Sequence, residues 1–470
     1  MNTLQPIKPQ FLAIHKSHST TELPTIDQVK PKKPRNRRKS NTQDFLKPDE
    51  VLLHMSEHLT NYERGEIRRF SQVYFIGHSA NKRDTAPESA YNNGGFDNED
   101  DMYNIVLHDH LKYRYEIIKA IGKGAFGQVV KAFDHREKIY VAVKIVRNRP
   151  QYYRQAQEES RILEMLRDYD PETQGNIVRI MDHFDFRRHK CLVLELLGPD
   201  LFDFMKRNKF RGHSSQLIKL FALSILQCLC LMHDLRLIHA DLKPRNILLT
   251  KRGKRDLKVI DFGSACTEGA TIYTYIQSRS YRAPEVLLVA PYGRPIDMWS
   301  FGCIMGELCS GFPLFAGEDE CDQLACIMEL LGQPPQELLE QAANTKTFFN
   351  ADGTPRYCTY HRRPDGTLQA MGGRSRRGKP RGPPGTRPWE VALKHCNDSL
   401  FMDFVQQCLT FDPNKRMTPH EALCHPWLLH AERDLSMPRS THQTDNHKDN
   451  QSSVAQKLKS DQKMLTTETK

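Results

Sequence analysis

A chain of 470 residues, 39% hydrophobic and 27% charged, can hold two or three domain-sized units, or one large two-lobed domain with tails. That hydrophobic share is low for a chain folded throughout, so polar unfolded segments are expected around an ordinary core. The formal charge of +11 invites a nucleic-acid reading, but the basic blocks "KPKKPRNRRK" (30–39) and "GGRSRRGKPRGPPG" (372–385) lack the interleaved aromatics of a single-strand binding surface, and no direct nucleic-acid binding is expected.

In chain order, residues 1–50 are basic and Pro-dotted and suggest a disordered tail, its 30–39 block being either a nuclear-import signal or a solvated stretch. "MNTLQPIKPQ" has no signal-peptide core, so a soluble cytoplasmic protein, with nuclear entry through 30–39, is the expectation. The segment 51–110 carries the helix-like "EVLLHMSEHLTNYERGEIRRF", the apolar "VYFIG" and "NNGGFDNEDD", where Gly94 and Gly95 beside paired Asn favour tight turns. Strand patterns follow between 115 and 147, in "YEIIKAI", "GQVVKAFDH" and "YVAVKIV". From about 214 helical periodicity dominates, most clearly in "SQLIKLFALSILQCLCLMHDL". No apolar run there reaches bilayer-spanning length, since Lys219 and Gln227 interrupt it; a buried amphipathic helix is expected, and no membrane association. The twelve cysteines begin at Cys191 and form no C-x-x-C pair, which suits reduced structural thiols. Residues 431–470 read as a second disordered tail. A small strand-rich unit before a larger helical one predicts an α+β, two-lobed fold.

"GKGAFGQV" (122–129) lies between two strands, so its glycines let backbone amides approach a triphosphate. A dinucleotide-binding loop would open into a helix instead. In the next strand Lys144 sits among apolar neighbours, either as a surface residue or as a charge aimed at phosphates. Glu159, on the inward face with Leu163 and Leu166, is the carboxylate placed to position it; Glu158 points elsewhere. Asp261 of "DFG" follows the apolar strand "LKVI" and, with Asn246, offers oxygen ligands for Mg²⁺. Within "HADLKPRNILL" (239–249), Asp241 fits the base that accepts a hydroxyl proton and Lys243 the cation that steadies the transferred phosphate. In this order and spacing the set is a signature of phosphoryl transfer. Glu285 of "APE" is expected to pair with Arg416.

The catalytic-loop segment resembles that of protein kinases, with Ala240 for the usual Arg and Arg245 for the usual Glu. More narrowly, "YTYIQSRSYRAPE" (273–285), "NNGGFD", "HDHLKYRYE" and "LTNYERGEI…VYFIGHSANKR" resemble the class II dual-specificity tyrosine-phosphorylation-regulated kinases (DYRK family, CMGC group) over roughly residues 55–430. The resemblance implies a bilobal kinase fold over 115–428: an antiparallel-sheet N-lobe to 197, a helical C-lobe from 198, and an accessory segment and homology box over 51–110. It implies ATP held by Ile121, Gly122, Lys123, Gly124, Ala125, Phe126, Gly127, Gln128 and Val129 of the loop, by Ala142 and Lys144, and by Leu194, Glu195, Leu196 and Leu197. It also implies Mg²⁺, with Mn²⁺ as substitute, on Asn246 and Asp261. Tyr275 would be phosphorylated by the kinase itself and gripped by Arg279 and Arg282, mature targets being Ser and Thr of protein substrates. A monomer is implied. Ala240 loses no guanidinium the family possesses, since its members carry Cys there. Arg245 reverses the field of the family's Glu, while Leu194 and Ser280 each replace a Phe. The rival reading is an impaired pseudokinase acting as a scaffold.

Overall fold

The computed structural model describes residues 45–82, 91–172, 174–250, 256–269, 275–394 and 396–429. Both expected tails, with the 30–39 block, lie outside the described residues apart from 45–50.

Six antiparallel strands form the small lobe: β1 (His110–Leu111), β2 (Tyr115–Gly124), β3 (Gly127–Asp134), β4 (Ile139–Val146), β5 (Ile180–Phe186) and β6 (His189–Glu195), in the order β1-β2-β3-β4-β6-β5. Side chains alternate across a strand, so Val141, Val143 and Ile145 of β4 enter a core with Tyr115, Ile117, Val130 and Val193. Ala142 and Lys144 therefore face the opposite side, toward the large lobe. β5 and β6 lie outside the run of strands read between 115 and 147. "IMDHFDF" interrupts its apolar residues with Asp182, His183 and Asp185, and joins β6 through a tight turn in which Arg187 and Arg188 both take positive φ (47° and 66°).

The helix-like stretch 50–70 is not one helix. It breaks into α1 (Pro48–His54) and α2 (Asn61–Glu66), because Thr60 starts a new helix with a reciprocal cap: its Oγ1 accepts from the Glu63 amide while Glu63 Oε2 accepts from its own. "NNGGFD" is the expected turn, with Asn92, Asn93 and Gly94 all left-handed.

α3 (Pro150–Tyr169) packs on the small-lobe sheet; the large lobe is helical, with α4 (Leu201–Arg207), α5 (Ser215–Asp234), α6 (Pro284–Leu287), α7 (Pro295–Ser310) and α8 (Glu320–Leu331). Against the sequence expectation, α5 is long and apolar enough to cross a bilayer by length and composition. In this fold Ile218, Phe221, Ile225, Leu229 and Met232 of α5 instead join the core cluster that includes Trp299 and Phe301 of α7. All twelve cysteines are free, and seven of them are buried.

Candidate active site

The loop between β2 and β3 closes with Gly124 opposite Gly127. Gly127 is required by the protein itself: at φ 151° an added Cβ would come within 2.2 Å of the Ile145 carbonyl oxygen. Gly124 is different, for a Cβ there would meet nothing within 4 Å. That open side leaves a smooth approach for phosphate oxygens. Ala142 opposes Leu194 across the sheet, where β6 leads into the chain crossing to the large lobe. Among the described residues the Leu196 and Leu197 peptide groups make no backbone hydrogen bond, which leaves them available for an adenine edge. Glu195 differs: its carboxylate is taken by Lys258 and by the Arg179 amide. The cleft thus fits a nucleotide at both ends.

Below it, Lys144 Nζ donates to both oxygens of Glu159 (2.9 and 2.8 Å) and to Asp261 Oδ1 (2.9 Å). Burial alone would depress the ammonium, but Asp261 and Glu159 overcome it and hold Lys144 above its usual range. Burial likewise pushes the Asp261 carboxyl up, and Lys144 more than reverses this, so Asp261 stays ionised. Gly263 belongs to the same arrangement: a Cβ on it would crowd Asp261 Oδ1 at 3.3 Å and Glu159 Oε2 at 3.4 Å. Glu158 points away and pairs with exposed Arg161.

Asp241 accepts from Lys243 Nζ at 2.6 Å and from Ser278 Oγ at 2.9 Å, and Lys243 reaches Ser278 at 3.1 Å. Asn246 spends its amide NH₂ on Asp241, leaving its side-chain oxygen for a cation, and the Ile260 amide donates to the Asn246 carbonyl (2.9 Å), which sets Asp261 beside it. Asn246 and Asp261 thus offer the hard oxygen donors a small divalent cation takes. The loop is anchored from α7, where buried Asp297 accepts from the His239 and Ala240 amides (2.7 and 3.0 Å). Ala240 is buried in a left-handed conformation (φ 61°), so the residue that looked like a defect occupies a tight backbone position.

Tyr275 is exposed, and the Arg282 guanidinium lies 4.2 Å from its ring centre. Arg282 also pairs with Glu320 (3.0 Å). Arg279 is not brought to Tyr275 in this state; it donates to the Glu318 carbonyl at 2.7 Å. Arg245 stacks on Phe202 (4.0 Å) with Asp200 at 3.7 Å. Glu285 and Arg416 form the expected buried pair, at 2.6 Å. Sequence reasoning gave no role to Gln277 or Ser278, and took Asp297 only as the first residue of "DMWSFGC" (297–303), a segment that completes the kinase-like set. Gln277 holds the activation segment by donating to Ser300 Oγ and accepting from the Ala283 amide (2.8 and 2.9 Å).

Glu307 of α7 also holds this segment, accepting from the Tyr281 hydroxyl at 2.6 Å. Burial pushes its carboxyl up to about 7, partly offset by that hydrogen bond. A raised folded value means the folded state binds the proton more tightly. Its contribution is therefore whole below the ordinary carboxylate range and fades as pH rises through 7. Glu307→Gln is expected to flatten the fall in thermal midpoint between about pH 5 and 8, removing a pH-linked loss on the order of 2–3 kcal/mol. An unchanged slope would show that Glu307 does not titrate there.

The protein kinase domain family matches residues 115–428. The chain is 52% identical over 383 residues to dual specificity tyrosine-phosphorylation-regulated kinase mbk-2 of Caenorhabditis elegans, spanning 82% of this chain and 47% of that one. It is 51% identical over 411 residues to dual specificity tyrosine-phosphorylation-regulated kinase 3 of Homo sapiens (86% and 70%). To the human kinase 4 of the same series it is 43% identical over 417 residues (88% and 76%). The chain thus spans only about half the length of the nematode relatives it matches.

Proposed function

This chain belongs to the dual-specificity tyrosine-phosphorylation-regulated kinases, and on that premise we propose that it transfers the terminal phosphoryl group of ATP to Ser and Thr of protein substrates and to its own Tyr275. One observation carries the reading: Lys144, Glu159 and Asp261 form a closed ion triad, while Asp241, Lys243 and Asn246 are bonded together on the adjoining loop. Lys144, positioned by Glu159, would grip the phosphates. Asn246 and Asp261 would hold the cation, Mg²⁺ with Mn²⁺ as substitute. When bound, the cation supplies positive charge against the phosphate oxygens. Asp241 would orient the attacking hydroxyl and take its proton; Ser278 Oγ, 2.9 Å away, shows that a hydroxyl reaches it. Lys243, beside both, would offset charge on the moving phosphoryl group. Because the transition state is loose, this positioning matters more than base strength.

The reading is tested by expressing the chain in bacteria and mapping phosphate by peptide mass spectrometry. Phosphate on Tyr275 supports it. A bare Tyr275, with no Ser/Thr peptide labelled from ATP and Mg²⁺, would turn the reading to a scaffold.

Arg245 bears on substrate choice. It is exposed beside the base, and its charge is only partly met by Asp200. Peptides with acidic residues near the target should outcompete peptides with Arg there. Arg245→Glu is expected to raise kcat/KM for an Arg-bearing peptide roughly tenfold relative to its acidic counterpart, a shift of about 1.4 kcal/mol. Competition between the two peptides checks this, and an unchanged ratio removes Arg245 from recognition. We further propose a cytoplasmic monomer that enters the nucleus through the 30–39 block, without direct nucleic-acid or membrane binding. That block's charge density supports the nuclear route.

A further inference from the structure

The basic segment 372–385 has no part in the chemistry above, yet it folds into a hairpin, Gly373–Arg374 against Pro380–Arg381, over the start of α8. Beneath it lies a cavity of about 250 Å³ lined by Asp319, Asp322, Arg356, Arg374, Arg376 and Arg381. The acidic groups are already committed. Asp322 takes Arg381 with both oxygens (2.7 and 2.8 Å) as well as the Glu318 amide (2.8 Å), and Asp319 caps α8 by accepting from the Asp322 amide (2.9 Å).

The cations are not. Arg356 spends only its Nε, on the Phe349 carbonyl (2.9 Å), and Arg374 one terminal nitrogen, on the Gly378 carbonyl (2.8 Å). Arg376 has no hydrogen bond or ion pair among the described residues. Three guanidiniums with most of their donors unspent therefore surround one cavity in which Asp322 is neutralised by Arg381 and Asp319 caps α8, leaving an excess of positive charge. Planar, paired N–H donors match a tetrahedral dianion, which several arginines can bind at once. The volume exceeds what a bare ion needs and approaches the lower bound of organic ligand pockets, roughly 300 Å³. Met328 and Phe348 supply apolar wall for the stem that would carry the anion.

The cavity also adjoins the activation segment. Its wall residue Asp319 lies between Glu318, whose carbonyl accepts from Arg279 (2.7 Å), and Glu320, which pairs with Arg282 (3.0 Å). We propose that this cavity is a docking site for a phosphorylated Ser or Thr side chain of a protein partner, held by Arg374 and Arg376 with support from Arg356. Docking there would bring the partner beside the activation segment without using the catalytic residues, so the site does not depend on turnover.

The test is fluorescence polarisation on the full chain, without ATP. It compares a degenerate peptide pool fixed on a central phosphoserine with the same pool carrying serine. The phosphorylated pool should bind at least tenfold tighter, and Arg374→Ala with Arg376→Ala should cut that preference to less than threefold. Both side chains are exposed, and a thermal midpoint reports on folding. Arg376→Lys keeps the charge but loses the paired donors; it should lose part of the preference and stands in if the double variant fails to fold. Equal binding of the two pools overturns the proposal. So does a preference that survives both variants, or inorganic phosphate binding with no gain for the phosphorylated pool.

Discussion

Asp241→Asn is expected to lower phosphoryl transfer to a Ser/Thr peptide by about 10²–10⁴-fold and to leave Tyr275 unphosphorylated. Asn keeps the shape and one acceptor but removes the charge and the proton-accepting oxygen. In the wild-type loop one carboxylate oxygen meets Lys243 at 2.6 Å and the other meets Ser278 at 2.9 Å. An amide must turn its NH₂ toward one of them, either against an ammonium or into the place a substrate hydroxyl needs. The loop should still fold, because its anchors are main-chain: the His239 and Ala240 amides on Asp297, and the Asn246 side chain on the Asp241 carbonyl. Initial rates with labelled ATP, intact mass and the thermal midpoint separate the outcomes. A variant within threefold of the parent would remove Asp241 from the base role. A fall in rate together with a collapsed midpoint would mark it as structural.

The chemistry of the cleft was legible because its residues sit in short segments with fixed order. Gly122–Gly127, Lys144, Asp241–Asn246 and Asp261 announce themselves by spacing, and the fold brings Lys144 to Glu159 as expected, with Asp261 as a further partner. What stayed hidden depends on distant partners. Gln277 is a polar residue whose importance lies in which groups it satisfies, and "DMWSFGC" marks Asp297 without saying that it accepts from the His239 and Ala240 amides. β5 escapes because Asp182, His183 and Asp185 dilute the apolar alternation, and Lys112, Tyr115 and Arg114 meet Asp182 only after folding, while β6 is a short apolar run that periodicity alone does not separate from helix. Periodicity alone runs the two accessory helices together, because it ignores the Thr60 cap. Arg279 was assigned by resemblance to the Tyr275 phosphate, whereas here it binds Glu318. A phosphate with close to two negative charges is the interaction that would draw it across.

Arg187→Ala is expected to destabilise the small lobe by about 3–5 kcal/mol, the cost of stranding buried charge rather than of losing one contact. Arg187 projects from the β5–β6 turn into the accessory segment. There its guanidinium reaches Glu66 at 2.9 Å, Glu63 at 3.1 Å and the Tyr103 hydroxyl at 3.1 Å, between the rings of Phe96 and Phe186. Glu63 also takes Lys82 (2.7 Å) and His110 (2.9 Å); burial alone would raise its carboxyl, but these partners hold it well below the usual range. Glu66 is less well supplied: among the described residues Arg187 is its one cation, joined by the neutral hydroxyls of Tyr113 (2.9 Å) and Tyr62. Removing the guanidinium therefore leaves Glu66 as the uncompensated charge, and Glu66→Gln in the same chain should recover a large part of the loss. Arg187→Lys should recover less, because one ammonium cannot face Glu63, Glu66 and Tyr103 together. Denaturant unfolding of the two single variants and the double one gives the coupling directly. Strictly additive losses would mean that Arg187 acts through its ring contacts alone. Non-additive ones would make this cluster, joining residues 124 apart, the bond that fixes the accessory segment to the sheet carrying Lys144.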